Sequence, residues 1–126
     1  IFAGDARAIL DAVPAGTLGR VNILYPDPWP KTRQKKRRFV SDDNLHALAR
    51  AMKPGAELRF ATDIDDYSAW TLCRLLRSPH FAWPARSDAD WLTPWDGWPS
   101  TRYEAKALQE GRQPVYLTFI RNSVAA

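Results

Sequence analysis

The stretch RVNILYP, Arg20–Pro26, is a short apolar run that ends at a proline. Its length and composition predict a buried strand. The stretch AELRFAT, Ala56–Thr62, has the same character and predicts a second strand. Because a helical segment lies between them, the two strands are expected to pair in parallel through a right-handed crossover. This order of elements indicates an open, doubly wound α/β sheet.

The rest of the chain predicts helices and strands on both sides of this pair. The last two strands are close together in sequence, so we expect them to pair antiparallel at one edge. The further predicted elements are a helix over Ala6–Ala12, a helix capped by Ser41 and stopped by Pro54-Gly55, a helix capped by Asp65 and ending before Pro79, a strand at Phe81–Ala85, a helical turn near Tyr103–Leu108 and a strand at Val115–Arg121.

The helix that begins at Asp65 carries an apolar stripe. Its members are Ala69, Leu72, Cys73 and Leu76, whose spacing predicts the face turned toward the core. Cys73 is the only cysteine, so an internal disulfide is excluded within the chain. We expect it to be a small buried residue of a protein that works in a reducing compartment.

The positive charge of the chain is concentrated in one segment. Six of the 18 Lys and Arg residues fall between residues 31 and 38, and this segment holds no acid. Outside it the acids outnumber the bases, although the whole chain carries a formal charge of +4. Such a run either binds a polyanion such as nucleic acid or forms a solvated loop.

The sequence predicts neither a membrane span nor a metal site. No apolar run has the length of a transmembrane helix and no signal peptide opens the chain, so a cytoplasmic protein is expected. His46 and His80 lie far apart in sequence, with no cysteine cluster near them. With 126 residues, the chain is one domain or a piece of one. It starts at Ile1 with residues that resemble the end of a strand, which favours a fragment of a longer protein.

Asp5, Asp27 and Asp63 each come just past a predicted strand. In an open α/β sheet, ligands bind in the crevice beyond the carboxyl ends of the strands, so these carboxylates are expected to share one site. Pro26 and Pro28 restrict the backbone of Asp27 and would fix the direction of its side chain. The alternative is that each aspartate is a helix cap or a turn residue.

Four of the six tryptophans cluster between residues 83 and 98, at Trp83, Trp91, Trp95 and Trp98. We favour a satellite core beneath the edge strands for this cluster. The alternative is an aromatic wall on which a base stacks.

Four segments of the chain resemble the tRNA (guanine-N7-)-methyltransferase family. They are GDA at residues 4–6, PDPWPKTRQKKRR at 26–38, ATD at 61–63 and TRYEAKA at 101–107. Their order and approximate spacing fit the family, and the resemblance covers essentially the whole chain. PDPW followed by a basic run is fairly specific, and the presence of TRYE strengthens the match.

The resemblance implies a Rossmann-like α/β sheet of the class I methyltransferases, which use S-adenosylmethionine. The glycine-rich loop of the family precedes GDA and is absent from these residues. Residues 1–126 are therefore interpreted as the C-terminal portion of one methyltransferase domain with its N-terminal strands missing, and this fragment alone is expected to be inactive. The implied reaction is methyl transfer to N7 of a guanosine in the variable loop of tRNA. The oligomeric state stays open between monomer and homodimer.

The resemblance also implies roles for individual residues. Asp27 would be the catalytic residue and a cofactor contact, while Asp5 and the backbone amide of Ala6 would bind the cofactor. The implied substrate contacts are Lys31, Asp63, Thr101, Arg102, Tyr103 and Glu104, and the implied RNA contacts are Arg33, Gln34, Lys35, Lys36, Arg37 and Arg38.

Two other functions compete with this interpretation. An exocyclic-amine nucleic-acid methyltransferase would use a similar acid-proline-aromatic motif, but its motif has a different order and gives TRYE no role. A non-catalytic basic RNA-binding module would need only the basic run.

Overall fold

The computed structural model of the protein describes residues 6–126. The predictions made for Ile1–Ala3 and Asp5 lie outside the described residues. The elements are α1 (Ala6–Ala12), β1 (Leu18–Leu24), a 3-10 helix (Thr32–Arg37), α2 (Asp42–Ala51), β2 (Met52–Thr62), α3 (Asp65–Arg77), β3 (Phe81–Ala82), α4 (Ala89–Leu92), α5 (Arg102–Gln109) and β4 (Val115–Arg121).

The described strands form one sheet in the order β1-β2-β4-β3. β1 and β2 are parallel, and Ile23 pairs with Phe60 in their register. β4 runs antiparallel to both β2 and β3. The predicted parallel pair and the predicted antiparallel edge are both confirmed. The mixed α/β sheet is the kind of sheet expected for part of a Rossmann-like methyltransferase domain.

The main core lies on one face of this sheet. Leu58 pairs with Phe119 and Phe60 pairs with Leu117 across β2 and β4, and all four side chains are buried. Buried residues of α2 and α3 belong to the same cluster, and the ring of Tyr67 lies edge-on to Phe60 at 5.2 Å. This packing fixes the two helices that flank the carboxyl ends of β1 and β2.

α2 begins as predicted but ends earlier. The hydroxyl oxygen of Ser41 accepts a hydrogen bond from the amide of Asn44, as expected for an N-cap. The helix then ends at Ala51, and the chain enters β2 at once. Pro54-Gly55 does not stop a helix and lies instead in an exposed bulge of β2. Leu18 pairs with Met52 and Arg20 pairs with Glu57, so β2 has extra residues between these two pairs.

The predicted inward face of α3 is wrong. Tyr67, Thr71 and Leu75 are buried, whereas Cys73 is exposed and Leu76 is 57% exposed. Both sets of residues recur at helical spacing, so periodicity alone cannot choose between them. Tyr67 is the deciding residue, because its ring packs on Phe60 and its hydroxyl accepts a bond from the amide of Val40.

The tryptophan-rich segment packs on β4 and α5. Trp83 lies 4.6 Å from the ring of Phe119, and Trp95 donates a hydrogen bond to the hydroxyl of Thr118 at 2.7 Å. Trp91 lies against Trp83, and Trp98 lies edge-on to Trp95. This is the satellite core that the sequence favours. Over residues 6–126, the helices are too short or too polar to cross a membrane.

Candidate active site at the carboxyl ends of β1 and β2

The loop that follows β1 leaves the sheet through two unusual backbone conformations. Tyr25 has a φ of +48° and Trp29 has a φ of +41°, a region that residues other than glycine rarely occupy. The amide of Tyr25 still donates to the carbonyl of Ala61 at 2.8 Å, so the turn begins directly at the sheet edge. This turn explains why β1 ends at Leu24 and not at Pro26 as predicted.

Asp27 lies in this loop between two prolines, as the sequence predicts. Its side chain is exposed, and no residue from 6 to 126 forms a hydrogen bond or a salt bridge with its carboxylate. The backbone of Asp27 is constrained while its charge is left free. This arrangement suits a carboxylate that acts on a bound cation or on a polar ligand. The catalytic role of Asp27 stays a prediction.

Most of the basic run forms an exposed 3-10 helix, Thr32–Arg37, and the run packs against the protein through Lys35 and Arg38. Lys31, Arg33, Lys36 and Arg37 are exposed, and Gln34 is half-buried. The guanidinium of Arg37 lies over the ring of Trp29 at 5.2 Å. Lys35 is partly buried and pairs with Asp66 at 3.2 Å. The outward cations remain candidates for phosphate contacts.

Arg38 corrects the predicted set of RNA contacts. Its side chain has 0% exposure, and its guanidinium lies 4.7 Å from the ring of Tyr67 and 5.0 Å from the ring of Trp70. The guanidinium donates to the carbonyl of Pro28 at 2.6 Å and to the carboxylate of Asp66 at 2.5 Å. Arg38 is therefore engaged inside the protein and is not free to reach RNA in this structure.

Asp63, the second predicted acid, follows β2 at the same end of the sheet. Its side chain is only 13% exposed, and its Oδ2 accepts a hydrogen bond from Nε of Arg112. Arg112 also pairs with Glu110 at 2.6 Å, and both carboxylates raise the pKa of this guanidinium. Oδ1 of Asp63 has no hydrogen bond among the described residues and stays available to a ligand.

The TRYE segment forms the start of α5. Thr101 is the N-cap, and its hydroxyl accepts a hydrogen bond from the amide of Glu104 at 3.1 Å. Glu104 is buried, with Oε2 accepting from Nε1 of Trp98 at 2.9 Å and Oε1 accepting from the hydroxyl of Tyr116. Arg102 is exposed. Part of the motif is therefore structural, because two of its members shape the helix start.

Tyr25 connects the loop to the TRYE segment. Its ring stacks on Tyr103 with centroids 6.1 Å apart, and Tyr103 is 66% exposed. Burial and the charge of Glu104 raise the pKa of Tyr25 to about 12. Burial and the hydrogen bond to Glu104 also raise the pKa of Tyr116, so both phenols keep their protons near neutral pH.

The structure brings together part of the predicted site. The Asp27 loop and the TRYE segment meet through Tyr25 and Tyr103, and Asp63 follows the neighbouring strand. Ala6 is the exposed first residue of α1, and Asp5 is outside the described residues. Sequence reasoning missed Tyr116 and Arg112, because each contacts an acid from another segment of the chain, and it did not foresee that Trp98 donates to Glu104.

Comparison with known proteins gives one family. A family model described as "Putative methyltransferase" matches residues 1–117. The chain is 56% identical to the tRNA (guanine-N(7)-)-methyltransferase of Mesorhizobium japonicum over 117 residues, which are 93% of this chain and 50% of that protein. It is 53% identical to the protein of the same name from Azorhizobium caulinodans over 96% of this chain and 53% of that protein. The chain thus spans about half the length of the curated relatives that it matches.

Proposed function

The chain belongs to the methyltransferase family whose model matches residues 1–117, and we propose that the protein transfers a methyl group from S-adenosylmethionine to N7 of guanosine in tRNA. One observation carries the proposal. The exposed, unpaired carboxylate of Asp27 is held on a rigid loop that packs, through Tyr25, against the TRYE segment. The names of the two relatives supply the substrate and the atom that is modified.

The proposed reaction makes a modest demand on the protein. When bound, S-adenosylmethionine supplies an electrophilic methyl group on a sulfonium, and its positive charge passes to the purine on transfer. N7 of guanine has a lone pair and no proton to lose, so no general base is required. The residues need only to position the guanine and to stabilise the moving charge.

Asp27 is suited to this electrostatic role. A carboxylate stabilises a nearby cation, and no cation from residue 6 onward neutralises Asp27 in the absence of substrate. The donor set at this end of the sheet therefore fits a sulfonium cofactor. Asp27 would hold it at the methyl group, and Asp5 with the amide of Ala6 would hold the adenosine.

Acids at this edge also suit guanine. The Watson–Crick edge of guanine donates hydrogen bonds from N1 and N2, and adenine lacks this pair of donors. The free Oδ1 of Asp63 offers one acceptor. Each oxygen of Glu104 already accepts one bond and retains a lone pair for another. We propose that Lys31, Arg102 and Tyr103 complete the contacts around this base.

The exposed cations of the basic run supply affinity for tRNA. Phosphate contacts by Arg33, Lys36 and Arg37 would give binding that weakens steeply with salt and has little dependence on sequence. Selection of one guanosine would then follow from the shape of the RNA. We place the reaction in the cytoplasm, where an exposed thiol such as that of Cys73 stays reduced.

Product analysis tests the proposal. The complete protein is incubated with unmodified tRNA and S-adenosylmethionine that carries a labelled methyl group, and the RNA is digested to nucleosides. We expect the label in 7-methylguanosine. Label on the exocyclic N2 of guanine or N6 of adenine would favour the amine methyltransferase instead. Binding of tRNA without transfer would favour the RNA-binding module.

A further inference from the structure

The basic run contains one cation whose environment differs from that of the others. Among its six bases, only Arg38 is fully buried, while Lys31, Arg33, Lys36 and Arg37 are exposed. A charge is costly to bury unless hydrogen bonds and a counter-charge accompany it. Nucleic-acid binding gives no reason to bury an arginine in this way. Arg38 must therefore serve another purpose.

The partners of Arg38 come from two different segments. Its Nε donates to the carbonyl of Pro28, the residue next to Asp27, and its Nη2 donates to Asp66 in the first turn of α3. The rings of Tyr67 and Trp70 of the same helix lie 4.7 and 5.0 Å from the guanidinium carbon. Arg38 thus connects the loop that carries Asp27 to a helix that starts two residues after Asp63.

The loop needs such a connection because its backbone is strained. A left-handed conformation at a residue other than glycine is energetically unfavourable and persists only where surrounding contacts impose it. Trp29 adopts this conformation directly after Pro28. The guanidinium of Arg37 also lies over the ring of Trp29, at 5.2 Å. Of these contacts, the hydrogen bond from Arg38 is the one that holds the backbone itself.

We propose that Arg38 is a positioning residue for methyl transfer, which holds Asp27 at the methyl donor by fastening Pro28 to α3. The inference rests on the proposed function. Arginine suits this position because its planar guanidinium can donate in two directions while it also lies against aromatic rings. A lysine keeps the charge but cannot reproduce these contacts.

The substitution Arg38→Lys in the complete protein tests the inference. We expect single-turnover methyl transfer at saturating tRNA to fall by on the order of 10- to 100-fold, as a small displacement of a reacting group does. The dissociation constant for tRNA should stay at the wild-type value, because the buried side chain of Arg38 is not free to reach a phosphate. Hydrogen exchange of the backbone amides in residues 25–40 should become faster.

A matched control is available on the same helix. The guanidinium of Arg74 also lies on Trp70, at 3.2 Å, but forms no hydrogen bond with the loop. Arg74→Lys should leave the transfer rate and the loop exchange unchanged. If Arg38→Lys does not fold, Asp66→Asn removes the counter-charge from a side chain that is 55% exposed and should lower the transfer rate and speed the loop exchange in the same way. Because Asp66→Asn also releases Lys35, only these two measurements are compared for this variant.

Three outcomes would overturn the inference. They are a wild-type transfer rate in Arg38→Lys, a tRNA affinity that falls as far as the transfer rate does, and an equal decrease of rate in Arg74→Lys. A failure of the proposed function is recognised separately. In that case the wild-type protein forms no 7-methylguanosine, while the change in hydrogen exchange in Arg38→Lys is still observed.

Discussion

The hydroxyl of Tyr116 donates a hydrogen bond to Oε1 of Glu104, and both residues are buried where β4 meets the start of α5. Trp98 donates to the other oxygen of the same carboxylate. Glu104 is thus held at the site by two donors that its own motif does not contain. The position of this acid depends on contacts made across the fold.

Removing the hydroxyl in Tyr116→Phe should destabilise the protein by about 1–3 kcal/mol, because a buried carboxylate oxygen loses its donor. Urea unfolding of the complete protein measures the change. Tyr103→Phe is the control, since Tyr103 is 66% exposed and its hydroxyl has no hydrogen bond in the described part of the chain. Equal stability of the two variants would mean that the bond to Glu104 contributes nothing net.

Alkaline pH should destabilise the fold through Tyr25. Its pKa rises from 10.0 to about 12 on folding, so the unfolded state loses its proton first. The contribution to stability is complete below pH 10 and is lost as the pH rises from 10 to 12. Urea midpoints measured across this range should fall less steeply for Tyr25→Phe than for the wild type. Parallel curves would contradict the assignment.

Asp27→Asn should abolish most methyl transfer while leaving tRNA binding intact. The substitution keeps the shape of the side chain and removes the charge that would stabilise the positive charge as it passes from the sulfonium to the guanine. Single-turnover incorporation of labelled methyl groups, beside a tRNA-binding titration, measures both effects. Asp88→Asn is a matched control, because Asp88 is an exposed acid outside the site with no side-chain hydrogen bond at its helix cap. Wild-type turnover in Asp27→Asn would exclude the catalytic role.

Neutralising Arg33, Lys36 and Arg37 together should weaken tRNA binding and reduce its dependence on salt. For each phosphate that the protein no longer neutralises, the slope of log affinity against log salt becomes shallower by about 0.7–0.9. Gln is a suitable replacement at all three positions, because their side chains are exposed. Lys53→Gln removes an exposed charge at the amino end of β2, away from the loops that follow the carboxyl ends of β1 and β2, and serves as the control. An unchanged slope in the triple variant would favour the alternative interpretation, in which the basic run is a solvated loop that binds no RNA.

Several parts of the fold could be predicted because their signals are local. α1 has the predicted bounds, and Ser41 caps α2 through its own side chain, three residues from the amide that it binds. The parallel and antiparallel pairings follow from the spacing of the elements along the chain. Such features depend on short stretches of sequence and on general rules of chain connection.

The features that could not be predicted depend on contacts between distant segments. The sequence pattern places Cys73 and Leu76 on the inward face of α3, but Tyr67 and Trp70 instead face Arg38 from the loop. The face with Cys73 and Leu76 and the face with Tyr67 and Thr71 both recur at helical spacing. Here tertiary contacts with other segments, and not the periodicity of apolar residues, determine which face of α3 is buried.

The candidate site likewise contains some features that could be predicted and others that depend on contacts between distant segments. The places of Asp27 and Asp63 at strand ends could be predicted from topology alone. The pairing of Asp63 with Arg112, 49 residues later, has no sequence signal. Likewise, the sequence could not show that Arg38 is buried while most of the basic run is exposed. All six bases of the run carry the same charge, and charged residues are ordinarily found at the surface.

The bulge at the start of β2 offers a place to attach the protein to something else. Lys53, Pro54 and Gly55 are exposed and project beyond the regular ladder, with Gly55 at a φ of +86°. They lie at the amino ends of the parallel strands, so the sheet separates them from the loops that follow the carboxyl ends. Loop lengthening costs little entropy. An epitope or biotin-acceptor peptide inserted between Pro54 and Gly55 would therefore allow surface immobilisation with the proposed tRNA-binding loops directed toward solution.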